Sequence, residues 1–352
     1  MHNKTKLYLS LFLVLQIIGL QILSHFPESV EKYYSLGVYP VISIIFRYTL
    51  GWVPFSVGDV FYSALVILAV RWVFLNIKKL KKQPLEFLLT ITATFSVVYF
   101  MFNVLWGLNY YRNPLHETLG LKKDYTEAQL ITTTRFLMKE ANEMHFALGY
   151  KDTVKVEMPY SQKDIFKMSS AGYEKLSELF PELDYHPKSI KNSSWSLMLS
   201  YMGNSGYFNP FSQEAQTNAL IPMIHFPVVT CHEEAHQLGF AAENEANFLG
   251  YLATIHNDDP YFQYTGTIFA LRYCLNDLYK KNPEEFYEII CDVHVGIRKN
   301  FQEMQDFWEQ YEGVVEKFSE RFFDVFLKAN NQSDGIKSYS YVVALIVNYL
   351  KV

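Results

Sequence analysis

The sequence predicts a mainly α-helical membrane protein, with three N-terminal transmembrane helices and then a mostly helical domain holding a small β-sheet. Three observations carry this expectation. Long apolar stretches almost free of charge are confined to the first third of the chain. The rest shows helical apolar spacing, broken by one stretch rich in Ser, Asn, Gly and aromatic residues. Immediately after that stretch comes a His-Glu-Glu-Ala-His run, set in helical sequence.

Composition narrows the class. Half of the 352 residues are hydrophobic and 19% are charged, so there is ample apolar surface to bury and a disordered chain is excluded. A net charge of -5 argues against a general nucleic-acid binder. Three cysteines cannot form a disulfide framework, and Cys231, Cys274 and Cys291 read as small buried apolar residues.

Crossing a bilayer takes about 20 mostly apolar residues, with a tolerated lower limit of about 17. Residues 7–23 meet this without a charge; residues 60–77 contain only Arg71, near their end, and residues 85–108 only Glu86, at their edge. The first stretch is long for a signal peptide, and no small-residue cleavage site follows it, so it reads as an uncleaved anchor. Lys4 and Lys6 precede the first span, and Lys78, Lys79, Lys81 and Lys82 lie between the second and third. Basic flanks favour the cytoplasm, which places everything after about Asn109 outside, with Trp106, Tyr110 and Tyr111 as an interfacial aromatic belt. Residues 38–55 are apolar but broken by Pro40, Gly51 and Pro54, which suits an interfacial or re-entrant helix. The chain thus divides into a membrane domain, 1–110, and an extracytoplasmic domain, 111–352.

In the second part, Thr126 and Gln129 have capping-box spacing and open a helix that stops near Gly149. Residues 153–158 alternate as a short strand does. Residues 171–179 form a helix that ends before Pro181. Residues 193–224 read as strands and loops. Helices follow over 228–238, 244–256, 261–281 and, with breaks, 283–329. The charged run 284–320 reads as a solvated helix face. Residues 339–350 are apolar but too short to span, and read as a helix packed on the domain or the membrane surface.

The chemistry concentrates in residues 231–249, CHEEAHQLGFAAENEANFL. His232 and His236 are four apart, so a helix puts both imidazoles on one face, where they can chelate one metal ion. Zn²⁺ suits such nitrogen donors. Glu233 is rotated about 100° from His232 and can reach a water at the metal without ligating. A catalytic zinc needs a third protein ligand and an open fourth position. Glu243 and Glu245 are the nearest candidates, on nearly opposite helix faces, so one of them ligates. Gly239 stands at a helix-ending position.

With these residues in view, the chain resembles the zincin metallopeptidases, in the branch whose third ligand is a glutamate followed four residues later by Asp or Asn. Glu243-Asn244-Glu245-Ala246-Asn247 fits, which implies Glu243 as ligand and Asn247 as its support, with Glu245 as the alternative ligand. Over the three spans, the GNSGYFNPF stretch and the HEEAHQLGFAAENEANF block, the chain is similar to a bacterial membrane family catalogued as domain of unknown function 3810. That family resemblance implies residence in the bacterial inner membrane and a zincin motif but no established substrate; the zincin resemblance implies a zincin-like domain with a peptide or protein substrate, and the lipid bilayer is the other expected partner. In zincins an extended edge strand upstream of the active helix pairs with substrate, a role expected here for residues 213–221. Gly203 and Gly206 are expected to serve turns and His225 and His294 structural roles; an oxyanion-stabilising Tyr or His is required but not singled out among 26 tyrosines, and His256, the nearest downstream histidine, is a candidate for it but reads first as a surface residue. Three functions compete: a membrane-anchored zinc peptidase; a non-catalytic zinc-stabilised envelope scaffold or binding protein with a closed metal site; and a transporter or channel, disfavoured by the small number of spans and by Arg71, the one charge within them, lying near an end.

Overall fold

The computed structural model describes residues 3–332 and 341–352. Helices α1 (Asn3–Leu23), α2 (Tyr39–Leu50), α3 (Val57–Lys82) and α4 (Pro84–Leu105) open the chain. Of these, α1, α3 and α4 are long and apolar enough to cross a membrane. Their large apolar side chains, Leu15, Ile67 and Phe74 among them, point outward. Helices α1 and α4 run parallel, joined at three levels: Lys6 to Glu86 at 3.2 Å, Ser10 to Thr92 at 2.7 Å, and Gln16 Nε2 to Ser96 Oγ at 3.0 Å. Polar pairs of this kind hold helices together where no hydrophobic force can. The lysines expected between two spans form the last turn of α3 instead. They face the helix's carbonyl end, where positive charge is favoured.

Residues 38–55 are not among the described segments long and apolar enough to cross a membrane. A π-helical turn (Glu31–Val38) leads straight into α2, and the combined helix is two-sided. Tyr34, Tyr39, Ser43 and Arg47 are buried against the rest of the protein, whereas Val41, Ile45, Tyr48 and Trp52 are exposed. The guanidinium of Arg47 lies 5.4 Å above the Tyr185 ring.

Beyond the spans lie α5 (Glu127–Ala147), α6 (Ser170–Ser177), β1 (Ile190–Asn192), β2 (Gly206–Asn209), β3 (Glu214–Thr217), α7 (Phe226–Gln237), α8 (Glu243–Ile255), α9 (Pro260–Lys281), α10 (Pro283–Asp292), α11 (Val295–Glu309), α12 (Val314–Ala329) and α13 (Val342–Leu350). The Thr126–Gln129 capping box opens α5 as expected. Helix α8 lies at the centre, with eleven of its residues buried against α7, α9 and α13. Gly172 of α6 lets that helix come so close that a Cβ would meet the Ala253 carbonyl of α8 at 1.7 Å. Residues 339 and 340, at the start of the expected last helix, lie outside the described residues. The helix itself, α13, packs into the core.

The sheet order is β1-β3-β2, with β1 parallel and β2 antiparallel to β3. This corrects the expectation for residues 213–221: β3 is the central strand, paired on both sides, and cannot accept another. The edge strand beside the cleft is β2. Residues 153–158 form no strand. Their backbone is satisfied by side chains instead: Asn300 bonds both the N–H and the carbonyl of Val156, and His145 bonds the Val154 carbonyl. The run 284–320 is not simply a solvated face, because Val314, Val315 and Phe318 on α12 are exposed. Cys231 and Cys274 are buried, but Cys291 is exposed.

Contacts cross the division at residue 110 in quantity. Glu214 of β3 accepts the backbone N–H of Gly58, at the start of α3, at 2.6 Å and is paired with Lys191 at 2.5 Å. Asp59 accepts from Ser193, from the Ser194 N–H and from Tyr207. Arg112 forms a forked pair with the Glu31 carboxylate, at 3.1 and 2.5 Å.

Candidate metal centre and its cavity

Helix α7 starts at its Pro227, whose fixed φ suits a first turn. It ends at Gly239, where φ is +94°. That left-handed residue turns the chain back, so that α8 begins only four residues later. Gly250 then allows α8 to cross α7 closely; a Cβ there would stand 3.0 Å from the His232 N–H nitrogen. The crossing carries Glu243 to the histidines.

A helix end leaves its last carbonyls without intrahelical partners. Here residues from the first third of the chain supply them. Trp106 Nε1 donates to the His236 carbonyl at 3.1 Å, Tyr39 and Ser43 donate to that of Gln237 at 2.8 and 3.2 Å, and Arg112 donates to that of Gly239 at 3.2 Å.

The structure brings together the principal residues that the motif proposes. The Glu243 Oε2 atom lies 3.3 Å from His232 Nε2 and 3.5 Å from His236 Nε2. The Glu233 carboxylate lies within 4.8 Å of both imidazoles. His236 Nδ1 bonds the Phe240 carbonyl at 2.7 Å, which leaves Nε2 facing inward. Asn247 sits beside His232 and favours its protonated form, although neither His232 Nδ1 nor Asn247 Nδ2 makes a hydrogen bond among the described residues. Glu245 turns away and accepts the Leu115 N–H at 2.6 Å.

The electrostatics separate these carboxyl groups. Burial alone pushes Glu243 up, but His236 and His232 outweigh it and hold the group well below the usual carboxylate range. Burial pushes Glu233 up to about 8 and Glu245 to about 7. Burial also lowers His232, whereas in His236 the Glu243 charge overcomes burial and raises the group to about 9. Two imidazole nitrogens and one ionised carboxylate oxygen form a donor set that fits Zn²⁺ at a site with room for a further ligand. Glu233 Oε2 is buried and has no hydrogen-bond partner among the described residues. That unpaired acceptor beside the donor set fits a group that handles a proton.

The site opens on a cavity of about 750 Å³. Its walls include β2, the inward faces of α7 and α9, and aromatic side chains of α3, α4 and α12. Sequence reasoning missed several of its groups. Gly206 belongs to β2, not to a turn, and is packed against Glu233. Gly203, with φ +76°, does serve a turn. Arg272 of α9 lines the cavity and has no acidic partner among the described residues. His225 lines it too, pushed down to about 3 by burial. His256 bonds the Leu252 carbonyl and His294 packs edge-on against His145, both away from the centre. The spacing of GNSGYFNPF was the one available signal for β2. Nothing in the sequence points to Arg272, which lies 29 residues from the nearest ligand.

No curated protein and no solved structure matches the chain. A family profile matches residues 34–347, and the chain belongs to that family, described as Protein of unknown function (DUF3810).

Proposed function

We propose that the protein is a membrane-anchored zinc peptidase of the bacterial inner membrane, with its catalytic part on the extracytoplasmic side. One observation carries the reading: Glu233 stands beside His232, His236 and Glu243 on the wall of an open cavity, an arrangement a closed structural zinc site does not need. The orientation follows from Lys78–Lys82 at the end of α3 opposite to the one that meets the catalytic part.

His232, His236 and Glu243 would hold the ion, with Asn247 and the Phe240 carbonyl supporting the two imidazoles. When bound, zinc supplies Lewis acidity toward the scissile carbonyl and lowers the pKa of water. Glu233 takes a proton from the attacking water at its carboxylate and hands it to the leaving amine nitrogen as the C–N bond breaks. Arg272 is the cationic group best placed to hold the negative charge that develops on the carbonyl oxygen. Strand β2, backed by β3, fixes the wall against which Glu233 rests.

The test uses the full chain, wild type beside Glu233→Gln, with bound zinc measured by elemental analysis and cleavage of an unstructured protein followed with and without chelator. Zinc in both proteins and chelator-sensitive cleavage in wild type alone support the reading. Zinc in both and cleavage in neither point to the non-catalytic scaffold. Absence of zinc from both removes the metal assignment.

A further inference from the structure

Ring contacts join four elements in series beside the cavity. Tyr62, one turn inside α3, lies 6.3 Å from Trp195, which leads into the short helix Ser196–Tyr201. Tyr201 lies 5.1 Å from Tyr311, which leads into α12. Phe326 of α12 returns to Phe102, in the last turn of α4, at 6.0 Å. Both α3 and α4 are membrane-spanning, and the residues named are at the ends nearest the catalytic part. Tyr62, Phe102 and Phe326 themselves line the cavity. The cavity wall therefore includes the ends of α3 and α4 that meet the rest of the protein.

The exposed surface around this series is apolar where water contact would favour polar residues. On α12, Val314, Val315, Phe318, Phe322 and Val325 share one arc and are between 53% and 86% exposed. Lys317, Arg321 and Lys328 lie on the adjoining arc, between the apolar residues and the charged Glu320 and Asp324. Helix Ser196–Tyr201 adds Leu197 and Met198, both more than half exposed. A two-sided helix of this kind, continuous with spanning helices through Phe326 and Phe102, lies in the lipid interface. An exposed apolar patch beside a binding cleft marks a contact surface, and here its occupant is the bilayer.

We infer that α12 is embedded in the outer leaflet and that the cavity receives its substrate from the membrane: apolar juxtamembrane segments of membrane-anchored polypeptides, in preference to free peptides. This rests on the peptidase reading and gives it a substrate class. The aromatic walls accept apolar side chains, and a segment tethered at the interface meets the zinc ligands without leaving it.

The test has two arms. The first needs no activity: a nitroxide on Phe318→Cys in a Cys291→Ser background, in the full chain in lipid vesicles. Accessibility to oxygen above that to a water-soluble nickel chelate is expected; the reverse overturns the inference. The second uses a pool of quenched fluorogenic peptides, offered free or fused to a transmembrane anchor through short or long Gly/Ser linkers. Tethering raises effective concentration, so anchored peptides should be cut at least about tenfold faster. A cleft facing the membrane further requires the short linker to be cut fastest, and Val315→Ser/Phe318→Ser/Val325→Ser to lower that rate while free-peptide cleavage stays unchanged. Faster cutting with the long linker, or no effect of the triple change, overturns the inference and leaves the peptidase reading intact. Cleavage of no peptide by zinc-loaded protein overturns the peptidase reading itself, whatever the spin label reports.

Discussion

Gly206 of β2 lies so close to Glu233 of α7 that a Cβ built on the glycine would stand 2.5 Å from the Glu233 Oε1 atom and 2.6 Å from the Gln216 carbonyl oxygen. Strand and helix therefore meet with no side chain between them, and the glycine fixes where the carboxylate rests. Gly206→Ala must push one of them aside. A displacement of about 1 Å at a catalytic group costs on the order of a hundredfold in rate. The variant should bind zinc as wild type does, lose activity to that extent, and lose roughly 1–3 kcal/mol of stability from overpacking. Steady-state kinetics beside metal analysis and a melting curve check all three.

Glu233→Gln keeps the shape of the side chain and removes its basicity. Loss of a general acid–base group lowers kcat by about 10²–10⁴-fold. Because Glu233 is not among the three proposed ligands, zinc content should be unchanged. Zinc lost along with activity would instead make Glu233 a ligand.

Glu243 and Glu245 give opposite expectations. Removing a support of a metal ligand costs about 10–100-fold in affinity, so Glu243→Ala, which removes a proposed ligand, should weaken zinc binding by more than about a hundredfold. Glu245→Ala should leave zinc affinity nearly unchanged. It strands the buried Leu115 N–H instead, at a cost of about 1–3 kcal/mol. Competition with a zinc chelator and thermal unfolding separate the two.

Much of this was legible in the sequence, and the failures share a cause. The spans, the capping box at Thr126 and the metal motif are local signals, set by hydrophobic runs and by spacing along one helix. Glu243 and Asn247 follow from the resemblance, not from spacing along one helix, and it is the turn at Gly239 that carries Glu243 to the histidines. The strand expected over residues 153–158 failed because local alternation does not reveal that Asn300, far along the chain, satisfies the backbone there. The substrate-facing strand was placed at 213–221 because sequence order does not reveal strand order, and β3 lies between β1 and β2. Gly206 and Arg272 join the site only through tertiary packing, which no spacing encodes.

His225 sets a pH dependence of stability apart from the metal. Burial, aided by the nearby Arg272 charge, pushes its pKa down to about 3, so the folded protein keeps it neutral. A folded-state pKa below the unfolded value of about 6.5 makes this contribution complete above pH 6.5 and erodes it as pH falls toward 3. At about pH 5 the loss should be roughly 2 kcal/mol. His225→Phe removes that part of the slope. Unfolding is compared at pH 7.5 and 5 with chelator present throughout, so that acid release of zinc from His232 and His236 does not add to the signal. An unchanged slope in the variant would assign the acid sensitivity to other groups.

The part of the chain after residue 110 should not be independent of the apolar helices before it. The carbonyls of His236 and Gln237 end α7, and their donors are Trp106, Tyr39 and Ser43. Glu214 and Lys191, buried together, bond the Gly58 N–H and the Leu50 carbonyl. Removing residues 1–110 takes away all of these partners. It also leaves Arg112 without Glu31 and uncovers the apolar surface on which Tyr39 and Trp106 sit. Water can rehydrate the polar groups, so the larger loss is apolar burial, about 25 cal/mol for each Å² newly exposed. The end of α7 that carries His236 then keeps the Gly239 turn, the Arg112 bond to the Gly239 carbonyl and the Gln237 side-chain bonds to the Ser189 and Gln213 carbonyls, but loses the donors to its own last carbonyls. A fragment of residues 111–352 should melt well below the full chain and bind zinc at least about tenfold more weakly, the size of effect expected when the support of a ligand is lost. Melting and zinc competition on the fragment beside the full chain decide it. A fragment that matches the full chain in both would show that α7 holds its end without the membrane segments.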